Sequence, residues 1–262
     1  MRSPLHTDAR RRFLIGAALL PVAASLRMDV NPTAPGLVAV PGDALLVDHP
    51  AGGRVRLEPF ANRLSRVESP HDWLYARSGA ASGALNRPRA VAVGPGGDVW
   101  VANGGNDELL RFDADGRLVG TRGGLRVPRG LAVDAAGFVY VAERLGHRVS
   151  IFTPDGAPAG FLDASLEAPM DVAVLAGGVV AVAEPSARRV TLVEAGAVRR
   201  VALEDEPVAV AALPSGALAV ATARQIHVVD PAAGARRVLE APGRVAGLTV
   251  GLDGALRVQV LA

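Results

Sequence analysis

A chain of 262 residues, half of them apolar and rich in Gly and Ala, can bury one large core, and 28 basic against 26 acidic residues leave a formal charge of +2. It has no cysteine, which excludes disulfides, thiolate metal sites and thiol nucleophiles. Apart from histidine every basic residue is a scattered arginine, and residues 1 to 24 hold Arg2, Arg10, Arg11 and Arg12 against Asp8; that net +3 leaves −1 for the rest, so no nucleic-acid partner is expected.

The chain opens with ARRRFLIGAALLPVAASL. Arg10 and Arg11 with the variable Arg12, then Phe13 and Leu14, a moderately apolar run and a Val22-Ala23-Ala24 end resemble a twin-arginine export signal. The resemblance implies a signal peptide over residues 1 to 24, with an end at Ala24 suited to signal peptidase, and a periplasmic or secreted protein. From Phe13 to Leu26 the apolar run is about fourteen residues, short of the roughly twenty needed to cross a bilayer as a helix, so no stable membrane anchor is expected. Residues 25 to 34 read as a linker or a closing strand.

From residue 35 onward short Val/Ala/Leu runs alternate with Gly, Pro and Asp, the pattern of an all-β chain. Taking an opening proline as zero, Pro88, Pro128, Pro169 and Pro207 are followed nine residues later by Gly97, Gly137, Gly178 and Gly216, and fifteen later by Asn103, Glu143, Glu184 and Thr222. Val245 opens a further copy, with Gly254 at the glycine and Val260 ending the second strand. A first copy is read from Pro35, with Ala39-Val40 in its first strand and Ala44 to Asp48 in its second. Spacings of 40, 41 and 38 residues suit a propeller blade. In the copy from Pro128, Leu131 and Val133 mark the first strand and Val139 and Val141 the second. Arg148 to Phe152 is the third, Thr153-Pro154-Asp155-Gly156 a turn, and Pro158 to Leu162 an edge strand.

PRGLAVDAAGFVYVAERLGHRVSIFTPDG, from Pro128, resembles an NHL repeat of the TolB-like propeller superfamily: Pro-x-Gly, a glycine turn between two apolar strands, an Asn/His-Arg pair, a third strand and Asp-Gly. The resemblance spans roughly 35 to 262 and implies a six-bladed β-propeller of four-stranded antiparallel blades. The ring closes through shared N- and C-terminal strands: either Leu26 to Val30 pairs with the last copy, or Leu37 to Val40 closes it and residues 44 to 78 form the first blade. Ser69 to Asn86 is an outer strand or an inserted loop.

Asp48, Asn103, Glu143 and Glu184 fall at matching positions and read as loop caps rather than a metal ring. The family includes zinc lyases and lactone hydrolases, but His49, His71, His147 and His227 occupy unequal positions and no asparagine follows Asn106, so no metal site is assigned. Trp100 and Tyr140 share a position and read as packing between blades. Arg89 and Arg129 follow the opening position of adjacent blades, where Met170 and Val208 stand in the next two. They could hold an anion or an acidic peptide at the channel mouth, with Asp134 and Asp171 tempering the charge. On sequence alone the plainer alternative, that they solvate the rim or pair with carboxylates, carries more weight. No catalytic motif and no cofactor site is found. The expectation is a monomeric exported scaffold for a protein, peptide or small anion; the alternative is a metal-dependent periplasmic lyase or lactone hydrolase.

Overall fold

The period-two alternation of each repeat becomes a meander of strands turned back by glycine. The computed structural model describes residues 37–41, 44–232, 234 and 236–261; the signal-peptide and 25–34 readings lie outside them. Strand β1 (Leu37–Pro41) precedes five four-stranded antiparallel sheets. The first holds β2 (Leu45–Asp48), β3 (Arg54–Glu58), β4 (Arg63–Val67) and β5 (Trp73–Tyr75). The second holds β6 (Ala90–Val93), β7 (Val99–Asn103), β8 (Glu108–Phe112) and β9 (Leu118–Arg122). The third, β10 (Pro128–Val133), β11 (Val139–Glu143), β12 (Arg148–Phe152) and β13 (Pro158–Phe161), reproduces the strands read from the Pro128 copy. The fourth comprises β14 (Asp171–Val174), β15 (Val180–Glu184), β16 (Arg189–Glu194) and β17 (Ala197–Ala202), and the fifth β18 (Ala209–Ala212), β19 (Leu218–Ala221), β20 (Gln225–Val229) and β21 (Arg236–Glu240). The chain ends in β22 (Arg244–Val250) and β23 (Leu256–Leu261), joined by β1 in a three-stranded sheet.

The expected count of six four-stranded blades is therefore corrected: the described residues form five, and the remaining sheet has three strands. Its β1 runs parallel to β23, Leu37 opposite Leu256 and Pro41 opposite Val260. The innermost strands β2, β6, β10, β14, β18 and β22 pack each against the next, and β22 against β2. Apolar clusters fill the wedges between neighbouring sheets, such as Val101, Leu110 and Phe112 with Val55, Leu57 and Leu64, or Val210, Leu218 and Val220 with Ala183 and Leu192.

The nine-residue glycine has one job throughout. Gly97, Gly137, Gly178, Gly216 and Gly254 all have φ between 75° and 85° and donate their N–H three residues back across the first turn, a conformation closed to most side chains. Gly52 does the same in the first sheet, which decides the register: of the two expected closures, the one in which Leu37 to Val40 closes the last copy and residues 44 to 78 form the first blade holds. Ala44 to Asp48 belongs to an innermost strand, not a second one, so the counterpart of Asn103 and Glu143 is Glu58, and Asp48 lies at the opposite face. Within Ser69 to Asn86 the outer strand is β5.

The caps explain the repeat's signature. Glu143 accepts the Arg126 N–H at 2.8 Å, the Arg148 guanidinium at 2.8 Å and the Ser150 hydroxyl. Glu184 does the same with the Glu167 N–H, Arg189 and Thr191. Burial would raise the Glu184 carboxyl, but these donors carry it below its ordinary value. Glu58 pairs with Arg63 at the same five-residue spacing. Just before each third strand Asn62, Asp107 and His147 adopt positive φ and accept, from the next sheet, the N–H of the residue before its proline: Arg87, Val127 and Ala168. Those three also have positive φ, 43° to 55°; for Val127, β-branched and preceding proline, this is a strained conformation held by its neighbours.

Candidate anion site at the channel mouth

Each innermost strand starts on the face where the second strands end, so the residue after each opening position comes to one level at the channel mouth. That level holds Ala44, Arg89, Arg129, Met170, Val208 and Ala246, one per inner strand. Arg129 sits in a β-bulge, the register jumping from Pro128 opposite Glu143 to Gly130 opposite Ala142, and bulges re-aim a side chain out of the regular ladder. Its guanidinium is partly enclosed, and its Nε is buried with no hydrogen-bond partner. Burial lowers its pKa, and the charges of Arg89 and Arg144 lower it further. Arg89 lies against the loop between the second and third strands of its own sheet, its Cγ 2.8 Å from where a Cβ on Gly104 would stand and the Pro128 carbonyl 3.0 Å from the same point. A side chain at residue 104 would displace it.

Arg144 was missed by sequence reasoning, although it is next to the Glu143 cap, where the preceding repeat has Gly104; reading the whole loop as structural hid it. Among the described residues no carboxylate lies within ion-pair distance of Arg89, Arg129 or Arg144, whereas Arg54, Arg63, Arg148, Arg189 and Arg257 all have one. Three cations gathered without a counter-charge, one with an orphaned donor, suit an anionic group that accepts from guanidinium forks.

Of the two acids expected to temper this charge, Asp134 does not. It follows the end of β10, at the opposite face, where it accepts the Ala136 and Phe138 N–H groups at 2.9 Å and the Tyr140 hydroxyl at 3.2 Å. The strand ends point to opposite faces, about 15 Å apart at the rise of a six-residue strand. Tyr140, buried beside this charge, has its pKa pushed up to about 12. Asp171 is near the mouth, one level deeper. It stands where the other inner strands carry Leu45, Ala90, Gly130, Ala209 and Gly247, each paired with the residue before a cap position. Its carboxyl accepts the Val172 N–H at 3.0 Å and, across to the next sheet, the Val210 N–H at 2.9 Å. Burial pushes its pKa up to about 7 against the pull of those two donors. A Cβ on Gly130 would meet the Asp171 Cα at 2.4 Å, so β10 and β14 pack closely here.

The histidines do not meet. His49 is buried with Nε2 on the Gly97 carbonyl at 2.8 Å and Nδ1 accepting the Ala51 N–H, and burial lowers its pKa. His227 accepts from Arg236 at 2.8 Å, His147 from the Ala168 backbone, and His71 is exposed. Among the described residues no three His, Asp or Glu side chains gather as metal ligands. Trp100 and Tyr140 are both buried in the wedges between sheets.

No protein-family model matches the sequence, and no curated protein matches it. Solved structures do match in fold. A streptogramin B lyase superposes with a TM-score of 0.70 at 15% identity, over 82% of this chain and 75% of that one. A gluconolactonase from Xanthomonas campestris gives 0.63 at 19%, over 83% and 86%, and a chain of the nidogen/laminin complex 0.62 at 14%, over 84% of each. At such identities the likeness is one of fold: all three are β-propellers, and their activities differ.

Proposed function

We propose that this protein is an exported propeller of NHL-type repeats that binds an anionic group at its channel mouth and has no catalytic role. The observation that carries the reading is the unpartnered, buried Nε of Arg129 beside Arg89 and Arg144, with no carboxylate within ion-pair distance of them among the described residues. Fork-shaped donors fixed by a bulge and a glycine cradle bind a carboxylate or phosphate better than mobile rim arginines. Isothermal titration with inorganic phosphate and with acetate tests it: the parent protein should bind at least one of them, and the R89A/R129A double variant should lose at least about tenfold in affinity, as expected for removing charge-assisted hydrogen bonds of about 1.5–3 kcal/mol each. Equal affinity in both proteins, or no binding to the parent, overturns the reading.

Export rests on the leader: replacing Arg10 and Arg11 by Lys should leave the protein inside the cell, checked by fractionation. The competing reading, a metal-dependent lyase or lactone hydrolase, draws its support from the lyase and gluconolactonase among the fold neighbours. Stoichiometric zinc or calcium in the purified protein would favour it.

A further inference from the structure

The mouth level is not uniformly cationic. Going round the ring, Ala44 is followed by Arg89 and Arg129 and then by Met170, Val208 and Ala246, so the two arginines face an apolar arc. Met170 and Val208 are only half-buried, and Val208 packs on the apolar cluster of the fifth sheet and the closing sheet. Arg144 lies beside the arginines, and the next residue, Leu145, is 56% exposed. One level deeper β10 packs closely on β14, and the Asp171 carboxyl stands there. When ionised, that carboxyl repels an anion from going further.

Building on the anion reading above, we infer that the ligand is an amphiphilic acid, a carboxylate or phosphate ester whose head is held by Arg89, Arg129 and Arg144 and whose hydrocarbon or aryl part lies on Met170 and Val208. An inorganic anion would leave the apolar arc wet. The gain is the hydrophobic one, about fourfold in affinity for each methylene fully removed from water.

The test is isothermal titration of the full protein with acetate, butanoate, hexanoate and octanoate, and with inorganic phosphate. Octanoate is expected to bind at least about tenfold tighter than acetate, the gain growing with chain length. In a Met170→Ser/Val208→Ser variant, its fold checked by circular dichroism, the octanoate-to-acetate ratio should fall toward one, and in R89A/R129A octanoate binding should be lost. If acetate or phosphate binds through the arginines but chain length adds nothing, the amphiphile inference fails and the anion reading stands. Octanoate binding that survives R89A/R129A also defeats the inference, because the acid then sits elsewhere. If no anion binds, both fall together.

Discussion

Asp171 is a single carboxyl set among small residues, and its chemistry follows from that. It ionises near 3.8 in an unfolded chain and at about 7 in the fold, because burial disfavours the charged form more than the Val210 and Val172 N–H groups favour it. No charged side chain contributes to the shift, although Arg129 is the residue before Gly130, which packs against it. Between those two values the folded state keeps a proton that the unfolded state has released, so stability falls as pH rises through this window, and the penalty is complete above it. The full displacement bounds the effect at about 4 kcal/mol, and the residue's remaining contact with channel solvent reduces the expectation to roughly 2 kcal/mol. Urea unfolding at pH 4.5 and pH 8 should show the parent losing that much more than Asp171→Asn. The amide's mismatch with one N–H costs the same at both pH values, so parallel slopes would refute the assignment. Because protonation also removes a negative charge beneath the arginines, anion affinity should rise as pH falls through 7 in the parent and stay flat in Asp171→Asn, read by titration at pH 6 and 8.

At the scale of the blade, one cap residue organises the loop after the second strand, a carboxylate in three sheets: Glu58, Glu143 and Glu184. Glu143 is fully buried and holds a backbone N–H, a guanidinium and a hydroxyl at once, whereas Glu58 keeps 18% of its side chain exposed and pairs with a half-exposed Arg63. Glu143→Ala should therefore cost about 3 kcal/mol, since three donors lose their partner together, and Glu58→Ala about 1 kcal/mol or less. Equal losses in denaturant melts would show that the cap is interchangeable with a surface pair. Much of this was legible in the sequence, since turn glycines and caps recur at fixed offsets and each offset has one geometric meaning. The first blade stayed open between two registers because Leu45 to Asp48 alternates like any strand, and alternation cannot tell an innermost strand from its neighbour. The five-residue Glu58–Arg63 spacing, matching Glu143–Arg148, was the overlooked cue. In the site, ladder position identified Arg89 and Arg129, but Asp134 was grouped with them by proximity in sequence although a strand separates its two ends. Arg144 follows the second strand of Arg129's own sheet, and the antiparallel pairing that sets Pro128 opposite Glu143 brings it beside Arg129.

For the whole molecule the decisive place is the seam where the chain's two ends meet. Elsewhere neighbouring sheets bury Leu, Val and Phe against each other. At the seam the closing sheet meets the first blade through Gly247, Leu248 and Leu45 around a gap of about 10 Å³, with room for about one water. A polar clasp stands beside this gap. Arg257 pairs with Asp48 at 2.8 Å, both side chains about 15% exposed, and Asp48 also accepts the Leu252 N–H across 204 residues of sequence. A contact of that span forms only once the rest of the ring is in place, so loosening it should speed unfolding much more than it slows folding. Asp48→Asn keeps one acceptor for Leu252 but discharges the pair, and should cost about 1–3 kcal/mol. Native-state hydrogen exchange should then rise first in β2, β22 and β23, while β10 and β11 remain protected close to the global limit. If exchange increases evenly around the ring, the seam is no weaker than any other wedge, and the clasp contributes only as an ordinary surface pair.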